Sequence, residues 1–183
     1  MSKTPEVRAR RAYFDTRFGQ LHVRTAFPGT GGFDEHMTLV CIHALRPTAG
    51  AASSRIFAPL LGLIAADRSV YAPDRPGCGE SDGSAEGECA VAHAQAMSDL
   101  AADLRLRKID LLGLEDGCEV AVELALSHPE LVRRVVLVAA NATAGRASQA
   151  NQPALVLRLE PPDVLMSNPA AIATATGPFL NQR

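Results

Sequence analysis

The stretch that decides the fold is Lys108-Ile-Asp-Leu-Leu-Gly-Leu-Glu-Asp-Gly-Cys-Glu-Val-Ala-Val-Glu-Leu-Ala-Leu-Ser127. It opens with an apolar run from Ile109 to Leu112, passes through Gly-Leu-Glu-Asp-Gly at positions 113–117, and ends with apolar residues at helical spacing. A short apolar run predicts a buried strand, and apolar residues every three to four positions predict a helix. The stretch therefore predicts a strand, a sharp turn and a helix in direct succession.

The turn has the frame of a nucleophile elbow. In the pattern G-x-S-x-G, a strained turn holds the central residue exposed at the top of a sheet. The flanking glycines are needed because side chains would collide around such a turn. Here the glycines are Gly113 and Gly117, but the central residue is Glu115 and not a serine. A serine-based acyl-enzyme route is therefore not expected at this position.

The remaining chain alternates strand patterns with helix patterns, which favours an α/β fold with a mostly parallel sheet and helices on both faces. Two alternating segments around Gly19 predict an antiparallel hairpin at one edge of that sheet. Residues 1–10 are expected to be flexible, and the residues after Pro161 give no clear pattern. The other predicted elements are strands at 38–42, 69–72, 135–138 and 154–157 and helices at 57–64 and 91–106.

Composition limits the classes of function. The 183 residues, 47% of them hydrophobic, favour a single domain over residues 1–183. A net charge of −2 without a basic block gives no electrostatic reason for nucleic acid or an anionic membrane as partner. No apolar run is long enough for a membrane helix or a secretory signal, so we expect a cytoplasmic protein.

The four cysteines predict neither a metal site nor a cofactor. They form no C-x-x-C pair and have no histidine at the spacing of a zinc site. Free thiols in a reducing cytoplasm are expected, with a bridge between Cys78 and Cys89 as the alternative that spacing allows.

Several motifs in order resemble the α/β-hydrolase superfamily. The most specific is Pro-Asp-Arg-Pro-Gly-Cys-Gly-Glu-Ser-Asp at positions 73–82, and a strand ending at His43 precedes it. The turn at 113–117, the helix end at 127–130 and the strand at 132–138 follow in the same order, so the resemblance covers about residues 11–140. It implies a nucleophile at the turn, a histidine base oriented by an acid, and an oxyanion hole.

The resemblance places the oxyanion hole between the backbone N–H of Asp116 and the loop that contains His43, Ala44 and Leu45. A carboxylate on Glu115 would repel a developing oxyanion or fold back and fill the site. Asp116 is interpreted as a helix-start acid, and Arg46 is a candidate partner of Glu115. His43 is the histidine expected to face the pocket, whereas His22 and His93 are expected at the surface.

The base that the resemblance implies is missing from the expected place. No histidine follows His128, and proline stands at the centre of Gly177-Pro178-Phe179, where the family often has G-H-F. The acid position falls at Glu160 or Asp163. The short linker after Ala140 predicts that the lid is absent, and the few residues after Leu157 predict a truncated C-terminal part. An exposed sheet edge would result, for which pairing in a homodimer is a natural solution.

Two functions remain open from the sequence. The first is a degenerate, non-catalytic relative that binds a small-molecule ligand or acts as a structural subunit. The alternative is an active hydrolase of the ester, epoxide or haloalkane class that uses Glu115 as nucleophile or general base. Nucleotide binding is disfavoured because the glycines do not form G-x-G-x-x-G between a strand and a helix.

Overall fold

The computed structural model describes residues 7–29, 37–46, 52–83, 89–139, 146, 149, 152–157 and 168–182. The described strands are β1 (Val7–Thr16), β2 (Gly19–Pro28), β3 (Thr38–Ile42), β4 (Val70–Pro73), β5 (Ile109–Leu114), β6 (Val132–Val138) and β7 (Ala154–Leu157). The described helices are α1 (Ala58–Ile64), α2 (Ala90–Asp103), α3 (Gly117–Ser127) and α4 (Pro169–Leu180). A 3-10 turn at Ser54–Phe57 leads into α1.

These strands form one seven-stranded sheet in the order β1-β2-β4-β3-β5-β6-β7. The pairs β1–β2 and β2–β4 are antiparallel, and the strands from β4 through β3, β5 and β6 to β7 run parallel. The predicted α/β class, the mostly parallel sheet and the hairpin at one edge are therefore confirmed. The carboxyl ends of β3, β4 and β5 lie side by side, which brings the loops after them together.

Each face of the sheet carries its own hydrophobic core. One core packs α2 and α3 against the sheet through residues such as Met97, Leu100 and Leu124. The other packs α1 and α4 against the opposite face through Leu60 and Ile172, among others. Strands buried on both faces are continuous apolar runs, as the sequence of β5 and β6 predicts.

The structure adds detail at both ends of the described chain. Residues 7–10 pair with residues 25–28 of β2, and the flexibility expected of residues 1–10 stays a prediction. The region after Pro161, which has no clear pattern, contains α4, whose first turn is capped by the Asn168 side chain. Ile172, Thr176 and Leu180 form the buried face of α4. The amphipathic pattern is weak because the exposed face carries small residues and no charged ones.

The loop after β4 ties the sheet to the edge hairpin. Asp74 accepts hydrogen bonds from the backbone N–H of Ser54 and Glu80 and from Nδ1 of His22. Burial raises the pKa of Asp74, but these hydrogen bonds outweigh it and hold that pKa below its usual value. The specific motif at 73–82 therefore has a structural role here.

At the amino end of β6, two arginines bind the end of α4. Arg133 binds the buried carboxylate of Asp110 through Nε and Nη2, at 2.9 and 2.6 Å. It also donates to the backbone carbonyls of Leu180 and Gln182. Arg134 donates to the same Gln182 carbonyl. These bonds satisfy carbonyls that the helix end leaves without an intrahelical partner.

Replacing Arg133 with methionine is expected to lower the free energy of unfolding by about 3 kcal/mol, because it removes the closest partner of a fully buried carboxylate. Urea unfolding would measure the loss. Arg17→Met is the matched control, since Arg17 binds Asp99 with the same two-pronged geometry but is more than half exposed. Equal losses in the two variants would contradict the importance of burial at Asp110.

Candidate functional site at the turn after β5

The turn between β5 and α3 holds Glu115 in a left-handed backbone conformation. Its φ is +51°, a value uncommon for residues other than glycine. The N–H of Glu115 donates to the carbonyl of Val138 at 2.9 Å, and its own carbonyl accepts from Cys118 at 3.1 Å. Glu115 is half-buried and stands at the carboxyl edge of the sheet. The backbone therefore has the geometry of a nucleophile elbow, with a carboxylate at its centre.

Close backbone contacts leave no space for a side chain at either glycine of the turn. A Cβ on Gly113 would lie 2.7 Å from the Cα of Cys118. A Cβ on Gly117 would lie 2.4 Å from the carbonyl oxygen of Ile42 and 2.8 Å from that of His43. The start of α3 thus rests directly on the carboxyl end of β3.

The Asp116 carboxylate, at the start of α3, binds the loop after β3. Its Oδ1 accepts a hydrogen bond from the backbone N–H of Leu45 at 2.8 Å and lies 3.3 Å from Nη1 of Arg75. Asp116 precedes the first helical residue, but its side chain caps no N–H of α3. The interpretation of Asp116 as a helix-start acid therefore accounts for its position but not for its contacts.

His43 is built into the loop with both ring nitrogens engaged. Nδ1 donates to the carbonyl of Ala44 at 2.7 Å, and Nε2 accepts from the backbone N–H of Arg75 at 2.9 Å. Burial lowers the pKa of His43 to about 4, and the positive charge of Arg75 contributes to the shift. The ring is buried and both of its nitrogens have protein partners, whereas the expectation that His43 faces the pocket stays a prediction.

His93, predicted at the surface, is buried on α2. Burial, followed by the charge of Arg75, lowers its pKa to about 4. Its Nδ1 is buried and has no hydrogen-bond partner. His22, also expected at the surface, is buried and bonded to Asp74. The loop after β4 contacts His22 through Asp74 and Ser81, and local periodicity cannot detect such a contact.

The sequence analysis did not identify Arg75 as a site residue. Arg75 is buried and donates to both the His43 carbonyl and Asp116. The predicted strand order could have identified Arg75, because Arg75 follows β4 and Asp116 follows β5, and parallel strands end on the same side of the sheet. The suggested pairing of Arg46 with Glu115 stays a prediction. Glu160 and Asp163 lie outside the described residues.

Three of the four cysteines, Cys41, Cys78 and Cys118, are buried. Burial raises the pKa of Cys118 to about 12, so the helix start does not activate this thiol. The alternative bridge is not formed, because neither Cys78 nor Cys89 is in a disulfide. Among the described residues, no cluster of histidine, cysteine and acidic side chains could hold a metal ion. None of the helices in the described ranges is long and apolar enough to cross a membrane.

Comparison with known proteins agrees with this geometry. The family model described as alpha/beta hydrolase fold matches residues 38–182, which include β3 to α4. The chain belongs to this family. It is 37% identical over 105 residues to 2-hydroxymuconate semialdehyde hydrolase of Pseudomonas sp. strain CF600, covering 55% of this chain and 35% of that protein.

Solved structures show the same fold. Carboxylesterase CesB of Bacillus subtilis matches with a TM-score of 0.60 and 28% identity, over 73% of this chain and 44% of that one. An epoxide hydrolase from an endophytic Streptomyces matches with a TM-score of 0.60 and 20% identity, over 71% and 37% of the two chains. The α/β-hydrolase chain described here thus spans less than half of each of these relatives.

Gly117→Ala is expected to destabilise the protein by about 1–3 kcal/mol, because the new Cβ meets backbone carbonyls that cannot rotate away. Gly62→Ala is the control: a Cβ there meets nothing within 4 Å on α1, so up to about 1 kcal/mol of stabilisation is expected. Thermal or urea unfolding of both variants measures the difference. A neutral Gly117→Ala would refute the close contact between α3 and β3.

The two buried histidines are expected to make the protein acid-sensitive. Their folded-state pKa of about 4 lies below the value of about 6.5 for an unfolded chain. The unfolded chain therefore binds more protons between these values, and stability falls as the pH drops from about 6.5 toward about 4. His93→Gln should flatten this decline.

Ring-proton NMR provides the direct measurement. The shifts of His43 and His93 should remain constant from neutral pH down to about pH 5. Titration of either ring near its unperturbed value of about 6.5 would contradict the buried, neutral state.

Proposed function

We propose that the turn in this α/β-hydrolase-fold protein is a non-catalytic site that binds a small molecule or serves as a structural surface, and does not carry out triad hydrolysis. The observation that carries the proposal is the hydrogen bond from the Leu45 N–H to Asp116. In this fold, the oxyanion hole takes one N–H from the residue after the nucleophile and one from the loop after β3. Leu45 lies in that loop, and its N–H is already bound to an internal carboxylate.

Electrostatics support the same conclusion. Catalysis by an oxyanion hole needs donors aimed at the place where negative charge develops in the transition state. Here Asp116 places a carboxylate oxygen at 2.8 Å from one such N–H, and Arg75 accompanies it at 3.3 Å. A substrate oxyanion would have to displace Asp116 and would then face its negative charge, and that of Glu115, at close range.

A second candidate is an active hydrolase in which Glu115 attacks the substrate or directs a water molecule. The observation that favours it is the left-handed backbone of Glu115, which retains the strain associated with a nucleophile position. Carboxylate nucleophiles form covalent ester intermediates in other enzymes. The names of the similar proteins, an esterase and an epoxide hydrolase among them, suggest which substrates to test.

The proposal is tested by comparing the native protein with Glu115→Gln on p-nitrophenyl esters, epoxides and haloalkanes. Equal, background-level rates are expected in both. Glu119→Gln is the matched control, because Glu119 is an exposed glutamate in the first turn of α3. Turnover that Glu115→Gln abolishes and Glu119→Gln retains would reject the proposal, as would a covalent adduct on Glu115 detected by mass spectrometry.

Asp116→Ala tests the hydrogen bond to the Leu45 N–H without an assay of catalysis. Without its acceptor, the amide proton of Leu45 should exchange with solvent about tenfold faster or more. Asp116→Asn, which keeps an acceptor oxygen, should retain most of the protection. Identical exchange in all three proteins would show that Asp116 does not occupy this donor.

Homodimer formation stays a prediction. Within the described part of the sheet, β7 is the edge strand opposite β1, and its residues 155–157 are only partly buried. Strands with a free edge are prone to pairing with another chain, which is the physical basis of the prediction.

A further inference from the structure

A second cluster of polar side chains lies between α2 and the end of α3 that is remote from the turn. The hydroxyl oxygen of Ser98, on α2, is 3.1 Å from Nε2 of His128, which directly follows α3. The hydroxyl oxygen of Ser127 lies 2.9 Å from Nδ1 of the same ring. Because α3 has 11 residues, its length separates this cluster from Asp116 by about 16 Å.

The hydrogen bonds of Ser127 determine the tautomer of His128. The single hydroxyl proton of Ser127 is donated to the backbone carbonyl of Glu123 at 2.7 Å. The hydroxyl oxygen of Ser127 therefore accepts the proton on Nδ1 of His128. Nε2 then carries a lone pair, and the hydroxyl of Ser98 is the donor to it. The hydrogen bonds thus run in one direction, from Ser98 through the imidazole to Ser127.

The backbone holds the imidazole in this position. The N–H of His128 donates to the Leu124 carbonyl at 2.9 Å, and its own carbonyl accepts from the Leu131 N–H at 3.0 Å. Ser98 follows Met97, a residue of the hydrophobic core that packs α2 and α3 on the sheet. The hydroxyl and the ring are therefore placed by two packed elements, which is the support that a reactive pair requires.

The cluster is open to solvent. Ser98 and His128 are partly exposed, and Ser127 is exposed. These residues differ in this respect from His43 and His93, whose rings are buried. A serine hydroxyl that donates to an imidazole nitrogen, while a third group orients the ring, has the arrangement that activates a nucleophile.

We propose that Ser98 is a nucleophile that accepts an acyl group from a small ester with a good leaving group, with His128 as its base and Ser127 as a positioning residue. The Ser98 oxygen attacks the carbonyl carbon while its proton passes to Nε2 of His128. The bond from that carbon to the leaving oxygen breaks, and the leaving group departs as an anion. His128 then releases the proton to solvent, so the products are an ester of Ser98, the anion and a proton. The site is independent of the turn at Glu115 and of the function proposed for it.

The neutral group that orients the ring limits the reaction to such esters. A carboxylate in the place of Ser127 would stabilise the imidazolium that forms during the attack, and a hydroxyl does so less. Release of the acyl group by water requires the alkoxide of Ser98 to leave, and an alkoxide is a far poorer leaving group than a nitrophenolate. We therefore expect the acyl group to accumulate on the protein without turnover above background.

The experiment mixes the full chain with excess p-nitrophenyl acetate. Absorbance follows the release of p-nitrophenolate, and peptide mass spectrometry locates the acetyl group. We expect release of about one equivalent of p-nitrophenolate and acetylation of Ser98. Ser98→Ala should lose both. Ser53→Ala is the matched control and should retain both, because Ser53 is also a partly exposed serine next to a helix but its side chain makes no capping hydrogen bond.

Two further positions test the roles assigned to the base and to the positioning residue. His128→Gln should slow acetylation by about a hundredfold or more, because a general base contributes a factor of that size. Ser127→Ala should slow it by about tenfold while the final extent stays the same, since the ring loses the acceptor that fixes its tautomer. Ser127→Thr keeps the hydroxyl and should restore most of the rate. Glu115→Gln should be acetylated at Ser98 as the native chain is, which separates this test from that of the turn.

Three results would overturn the proposal. Acetylation of other residues without acetylation of Ser98 would place the nucleophile elsewhere. Acetylation of Ser98 no faster than that of Ser53 would show that its hydroxyl is not activated. An unchanged rate in His128→Gln would show that the ring is not the base.

Discussion

The direct contact between the start of α3 and the carboxyl end of β3 is the constraint on which the site depends. Because no Cβ fits between Gly117 and the carbonyls of Ile42 and His43, the helix begins against the neighbouring strand. That contact fixes Glu115 in its left-handed conformation and brings Asp116 within reach of the Leu45 N–H. A longer or looser turn would separate the two loops and leave both acids in solvent.

Around this contact, polar groups of the protein satisfy one another. Arg75, from the loop after β4, binds the loop after β3 through His43 and the turn after β5 through Asp116. The three loops are thus joined by one buried guanidinium. His43 remains neutral because burial lowers its pKa, and both of its nitrogens are used in this network. The same features that close the network reduce what an external substrate could bind there, since each internal hydrogen bond would have to be broken first.

Charge is distributed differently at the two edges of the sheet. At the carboxyl edge, the carboxylate of Asp116 pairs with one buried arginine. At the amino edge, Arg133 binds the buried carboxylate of Asp110, and both Arg133 and Arg134 donate to backbone carbonyls at the end of α4. Parallel strands make this separation possible, because every strand starts at one edge and ends at the other.

The sequence by itself determined the order of strands and helices, the parallel sheet and the tight turn at Glu115, because apolar periodicity and glycine spacing are local signals. The resemblance to the α/β-hydrolase superfamily, carried by the sequence motifs, placed His43, Leu45 and Asp116 in one region. Only the tertiary structure decided that Asp116 turns toward Leu45, that Arg75 joins the site, and that His22 and His93 are buried. Those outcomes depend on which distant loops meet and which hydrogen-bond partners they supply, and no local pattern in the chain encodes either.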